Sequence, residues 1–387
     1  MLLKHIKIQD TTLRDGEQTP GVAYSLQDKL ELTEAIISLG IDSIEIGFPA
    51  ASEEEAKTIE TISSKFNKSK TEFVVFSRAK ESDIDIAYNC LQKTKNKKIQ
   101  IVAPASDLHI LHSTKENKSS LLKNLEKSLL FAKEKFSNIQ FTAQDAPRAD
   151  IIFLKEMVEI AISKGAQTIC LPDTTGFSLP NDYASLISTI KGIIDNDKGI
   201  MLSAHCHNDL GLATANTIAA INAGADQIEG TINGIGERAG NTPIEEIVAI
   251  LDLKYKGLLS SNLNLSLFKK VSRQLEKITC INTHFNKPIF GKNVFMHASG
   301  MHQRAMIENS DTFEIINSKK FGIEGGKIAI GKLSGRAGVQ KVLDDLSIKI
   351  SPEKIDEFLA FIKNKSVNLK EINNSIMKSL VKDFINK

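Results

Sequence analysis

The chain has 387 residues, 49 basic against 47 acidic side chains, 41% hydrophobic and 25% charged content, and a net charge of +2. That length buries a sizeable core, and lysines scattered among acids leave no basic tract for nucleic acid or a membrane surface. No apolar run approaches the roughly 18 residues that span a bilayer. Met1 leads almost directly into an apolar strand, which leaves no room for a signal peptide. Cys90, Cys170, Cys206 and Cys280 are widely spaced and form neither a disulfide framework nor a zinc knuckle. The expectation is a cytoplasmic enzyme or binding protein.

In chain order, short β-rich runs fall at 6–9, 43–47, 73–76, 99–103, 139–143, 168–171, 201–204 and 227–231. Helical patterns separate them, among them 26–39 closed by Gly40, 151–162 closed by Gly165, 183–194 after a Leu179-Pro180-Asn181-Asp182 start, and 211–223 ending at Gly224. Eight such pairs predict an α/β chain whose residues 1–255 form a (β/α)8 TIM barrel. A doubly wound open sheet is the alternative. It is disfavoured because no GxGxxG loop follows the first strand and polar clusters recur after many strands: Arg14-Asp15, Glu45, Arg78, Gln144-Asp145, Asp173-Thr174, His205/His207 and Asn233. In a barrel those strand ends meet at one mouth. After 255 the alternation stops, and residues 256–387 read as a C-terminal helical appendage with patterns at 267–278 and 351–362.

The chemistry concentrates at a few of these strand ends. His205 and His207, two apart at the end of an apolar strand, point to the same side. Asp15 supplies an oxygen ligand if the first strand end lies beside them. Two packed core histidines are the plainer reading, but Asn208, Asp209 and the strand-end position favour a metal. Two imidazoles and a carboxylate leave open positions and suit zinc, manganese or magnesium. Cys206, turned to the opposite face, reads as a packed thiol. Arg14 beside the metal suits a small 2-oxo acid, its carboxylate on the guanidinium. The loop Asn233-Gly234-Ile235-Gly236-Glu237-Arg238-Ala239-Gly240-Asn241 offers a tight turn, the Asn241 amide as a further ligand, and Glu237 as a candidate catalytic group. His302, in His297-Ala298-Ser299-Gly300-Met301-His302-Gln303, is a candidate acid/base.

Asp10-Thr-Thr-Leu-Arg-Asp-Gly-Glu-Gln18, His205-Cys-His-Asn-Asp-Leu-Gly-Leu-Ala213, Asn233 to Asn241 and Ser299-Gly-Met-His-Gln303 occur in that order. Together they resemble the 2-isopropylmalate synthase/homocitrate synthase family of metal-dependent TIM barrels, from residue 5 to about 340. The resemblance implies Asp15, His205, His207 and Asn241 around a divalent metal, Arg14 and Thr174 on the oxo acid, and His302 taking a proton from the acetyl-CoA methyl group. It also implies a homodimer. Lyase relatives carry a cysteine in the loop where this chain has Gly236-Glu-Arg-Ala-Gly-Asn241, so condensation of acetyl-CoA with a 2-oxo acid is expected.

Three positions depart from the family: Gln144 where relatives carry Glu, Gln100 where they carry His, and Phe313 where they carry Tyr. Gln144, Gln100 and Arg78 join the substrate-contacting candidates. Arg78 either meets a distal carboxylate or pairs with a mouth carboxylate such as Glu45. Pro172 to Phe177, Asp107-Leu108-His109 and Ser299 to Gln303 look more like the isopropylmalate branch, which makes 2-oxoisovalerate the expected acceptor. Homocitrate or citramalate synthase activity is the alternative. A weak or non-catalytic 2-oxo-acid-binding paralogue is the rival from another class. The short stretch after the appendage predicts no leucine-regulatory domain.

Overall fold

A computed structural model describes residues 5–194, 199–369 and 371–386. Eight parallel strands close into a barrel in sequence order: β1 (Lys7–Asp10), β2 (Ser43–Glu45), β3 (Glu72–Arg78), β4 (Lys97–Pro104), β5 (Ile139–Gln144), β6 (Thr168–Asp173), β7 (Met201–Cys206) and β8 (Gln227–Gly230). The long helix after each is, in order, α1 (Leu26–Ser38), α2 (Glu53–Lys65), α3 (Glu81–Cys90), α4 (Lys118–Lys133), α5 (Ile151–Ser163), α6 (Pro180–Ile194), α7 (Ala213–Asn222) and α8 (Ile244–Lys254). The expected (β/α)8 TIM barrel is therefore present, every predicted strand included. Side-chain caps from Ser25, Ser52, Asn117 and Asp150 satisfy first-turn amides of α1, α2, α4 and α5. β6 and β7 run two residues past their apolar patterns, because Pro172 and Asp173 still pair in register with His205 and Cys206.

Strand alternation divides two environments. Ile99, Ile101, Ile139, Phe141, Leu202, Ala204 and Ile228 are buried and form the layer between strands and helices. The opposite face is polar. Gln9 and Gln140 both donate to Gln100 Oε1, at 3.2 and 3.0 Å, and Gln227 donates to Gln140 Oε1 at 3.1 Å. Lys98 is buried against Glu72 at 3.1 Å. These buried amides and the ion pair satisfy one another, as burial of polar groups requires.

The chain divides into two compact units, 1–282 and 283–387. The first extends beyond the β/α alternation because α9 (Phe268–Thr279) packs beside α1, and Ser272 Oγ donates to Asn233 Oδ1 at 2.7 Å in the loop after β8. The second unit contains a parallel pair, β9 (Met296–His297) with β10 (Lys327–Ile328). Four helices accompany it: α10 (Gly300–Glu308), α11 (Arg336–Asp345), α12 (Ile355–Ser366) and α13 (Asn374–Ile385). Its own core is built from Val339, Leu343, Ile355, Phe358, Ile362, Met377 and Val381. Among the described residues no helix is long and apolar enough to cross a membrane.

Candidate metal centre and active site

Asp15 closes the turn after β1, while His205 and His207 sit at the end of β7 and just past it, all three buried. Their ligand atoms lie within 4.8 Å of one another. Asp15 Oδ2 is 3.6 Å from His205 Nε2 and 3.9 Å from His207 Nε2, and the two Nε2 atoms are 3.4 Å apart. Burial alone would raise the Asp15 carboxyl, but Arg14 and the two imidazoles outweigh it and hold it below the usual carboxylate range. Burial pushes His207 down to about 4, so it stays a neutral electron-pair donor.

Glu229 on β8, which the motif reading missed, fixes the orientation of His205. Its Oε2 lies 3.2 Å from His205 Nδ1, while Oε1 accepts from Gln140 at 2.7 Å and Ser203 at 2.9 Å. Burial disfavours charge on His205, yet this carboxylate and Asp15 raise its pKa above the ordinary imidazole value. An Nδ1–H donated to a carboxylate leaves Nε2 free for a metal. The signal was available: a glutamate two residues from Gln227 shares its inward face.

Asn241 donates from Nδ2 to Asp15 Oδ1 at 2.8 Å, and its own Oδ1 is buried without a partner. Asp15, His205 and His207 thus converge, and Asn241, bonded to Asp15, carries a buried orphan carbonyl, a donor set whose chemistry fits a divalent cation. The Gly236 loop is pressed against it. A Cβ at Gly236, whose φ is +151°, would collide with the Asn241 amide and lie 3.0 Å from Asp15 Oδ1. Glu237 follows, partly buried. Arg238 adopts a left-handed φ of 54° and clasps three loops, bidentate to Asp209 at 2.8 and 3.0 Å and donating to Thr174 O at 2.7 Å.

Arg14 is held by Glu45 on β2, with Nε–Oε2 and Nη2–Oε2 both 2.8 Å, and by Asp15 at 3.1 Å. Its guanidinium lies over Phe76, 5.3 Å from the ring centroid. Burial raises Glu45 to about 7 against the pull of Arg14. The fourth contact, from Arg14 Nη1 to the exposed Gln18 at 3.3 Å, is with a neutral group that a substrate carboxylate can displace.

The remaining candidates separate. Thr174 Oγ1 accepts from Asp145 N at 2.9 Å at the mouth. Gln100 is only 2% exposed and belongs to the amide network, linked to His205 through Gln140 and Glu229 rather than facing the mouth. Gln144 ends β5 half-buried in the wall of a cavity of about 980 Å³, with Arg78 at another side. Arg78 does not pair with Glu45, which Arg14 occupies; it bonds Asp83 at 2.6 and 3.1 Å. The five-residue spacing from the end of β3 into α3 makes that pairing local. Cys206 faces outward, buried, its thiol pushed up by burial to about 12, as a packed group should be. In the second unit the exposed His302 stacks on Phe313 with centroids 4.0 Å apart, and His297 Nε2 lies 3.1 Å from Glu314 Oε1.

The HMGL-like family pattern matches residues 5–275, and the homocitrate synthase post-HMGL domain-like pattern matches 289–370. The chain belongs to the HMGL-like family. It is 36% identical to the 2-isopropylmalate synthase of Pyrococcus furiosus over 387 residues, covering all of this chain and 77% of that one. It is 38% identical to 2-isopropylmalate synthase 1 of Caldanaerobacter subterraneus, covering all of this chain and 97% of that protein. The fold resembles that of hydroxymethylglutaryl-CoA lyase from Pseudomonas aeruginosa, with a TM-score of 0.62 at 16% identity over 73% of this chain and 95% of that one.

Proposed function

We propose that this family member is an acyltransferase that condenses acetyl-CoA with an apolar 2-oxo acid, 2-oxoisovalerate giving 2-isopropylmalate, and then hydrolyses the CoA ester. The observation that carries the reading is the juxtaposition of the Asp15/His205/His207 donor set, with the orphaned Asn241 Oδ1, and the Arg14 guanidinium that shares Asp15 with it. Those residues would hold a divalent Mn, Mg or Zn ion, which supplies Lewis-acid polarisation of the ketone. Arg14, anchored by Glu45, binds the substrate carboxylate in place of Gln18, and Thr174 stands at the same mouth. Glu229 keeps His205 oriented, and the Gly236 loop keeps Asn241 against Asp15. Positioning both substrates supplies the entropic share of the rate.

A thioester methyl is a very weak acid, so its deprotonation needs a placed base. His302 is assigned that role from its motif, and Glu237 on the Gly236 loop is the second acid/base candidate. Gln144, Gln100 and Phe313 carry no metal-ligand role in this scheme, so their departures alter the surroundings without removing a donor. A homocitrate-type acceptor is disfavoured, because Arg78, the arginine on the acceptor wall, is already bound by Asp83. A homodimer is the proposed assembly, checked by sedimentation.

Thiol release from acetyl-CoA against a panel of 2-oxo acids tests the reading. Metal-dependent release with apolar acids, abolished in Asp15→Ala, is the expected result. Preference for 2-oxoglutarate overturns the acceptor, and absence of release with every acid supports a binding paralogue. In His302→Asn, release should fall at least a hundredfold while metal affinity stays unchanged.

A further inference from the structure

A cation is buried in the polar interior of the barrel, toward the N-terminal ends of the strands and away from the metal donors. Lys98, second in β4 and 1% exposed, has its ammonium 3.1 Å from Glu72 Oε2 at the start of β3 and 3.5 Å from Gln227 Oε1 on β8. From Gln227 a run of hydrogen bonds leads to the metal site. Gln227 Nε2 donates to Gln140 Oε1 at 3.1 Å and to Ser203 Oγ at 3.0 Å. Gln140 Nε2 donates in turn to Glu229 Oε1 at 2.7 Å. The other oxygen of Glu229 lies 3.2 Å from His205 Nδ1. All five side chains from Lys98 to His205 are buried.

The two ends of this run have opposite characters. An ammonium only donates, an ionised carboxylate only accepts, and each glutamine amide has one end of each kind. Two amides between such termini satisfy every group in a single orientation. Turning Gln227 over would press its NH2 against the Lys98 ammonium, and turning Gln140 over would press its carbonyl against the Glu229 carboxylate. In a buried, low-dielectric interior both arrangements are costly. Gln100 holds the same end of Gln140, since its Oε1 accepts from Gln140 at 3.0 Å and from Gln9 at 3.2 Å.

We propose that Lys98 is a positioning residue for the metal centre, acting from the far end of the barrel through Gln227 and Gln140 on Glu229, and so on His205. The ammonium sets the direction of both amides. The amides aim their donors at Glu229 Oε1, which leaves Oε2 for His205 Nδ1 and turns His205 Nε2 toward Asp15 and His207. Glu72, with a quarter of its side chain exposed, balances the buried charge without contacting the run above it. The inference rests on reading Asp15, His205 and His207 as metal donors, and turnover does not enter it.

The test is calorimetric titration of Mn2+ into the metal-free full chain. Lys98→Met should weaken binding by about 3- to 30-fold, and an unchanged affinity overturns the proposal. Lys98→Arg, still a pure donor, should recover most of that loss, and an equal loss in both variants overturns it too. The deciding measurement is a double-mutant cycle with Glu229→Gln. If Lys98 acts through Glu229, Lys98→Met costs little further affinity once Glu229 is replaced. A full repetition of its loss in the Glu229→Gln background means that Lys98 only supports the barrel, and the proposal falls. Lys98→Gln, which can donate or accept in the same polar interior, takes the place of Lys98→Met in every arm should that variant fail to fold. A wild type that binds Mn2+ but releases no thiol with any 2-oxo acid ends the condensation reading alone. One that binds no Mn2+ overturns both.

Discussion

At Asp10 a carboxyl is completely buried at the end of β1, with Thr12 N–H and Thr12 Oγ donating to its two oxygens at 2.9 and 3.0 Å. Burial outweighs those bonds and raises it to about 7, against about 3.9 in an unfolded chain. Between those values the folded state keeps a proton that the unfolded state has lost. The Asp10 contribution to stability is therefore full below about pH 4 and fades as pH rises through 7. Asp10→Asn should melt higher than the wild type at pH 8, with the gap closing towards pH 4. Parallel melting curves across that range would remove Asp10 from the pH response. Glu229 makes a different claim, because it touches the site through His205 Nδ1. Glu229→Gln should weaken metal binding by about 10- to 100-fold, read by titration calorimetry, with circular dichroism unchanged.

The loop after β8 carries an element's worth of function on one glycine. At Gly236 the backbone is in a conformation that L side chains rarely adopt, and the site's own Asn241 and Asp15 fill the space a Cβ would need. Gly236→Ala should cost at least tenfold in metal affinity, while Gly21→Ala, strained at φ +90° but with nothing within 4 Å of its Cβ, leaves metal affinity unchanged. Equal losses in both would mean that backbone strain, and not the contact with Asn241, sets the effect. The same loop shows what a linear sequence does and does not carry. Strand number and the inward faces of His205 and His207 were legible, because period two and strand-to-helix spacing are local properties. The convergence of Asp15, His207 and Asn241 was legible only on the condition that the strand ends meet, since residues 226 positions apart are joined by barrel closure. The partners of Arg14 and Arg78 were not legible. Choosing between Glu45 and Asp83 depends on which strand end each guanidinium reaches, and composition does not encode that.

At the scale of the molecule, the donors of the metal set all lie between residues 15 and 241 in the first unit, whereas His302 lies on α10 in the second. The two units have separate cores, and Phe358 is the largest side chain at the centre of the second, fully buried, with its ring 5.1 Å from that of Phe384. Phe358→Ala removes a buried aromatic at a cost of about 3–5 kcal/mol, all of it within residues 283–387. If metal binding and proton transfer are divided between the units as proposed, this variant separates them. Calorimetric unfolding should show an early transition from the second unit, thiol release should fall with it, and the affinity of the donor set for a divalent metal should stay within twofold of wild type. A matching loss of metal affinity would instead show that the barrel's ligand set depends on the integrity of the second unit. Retention of thiol release above the early transition would remove His302 from the reaction.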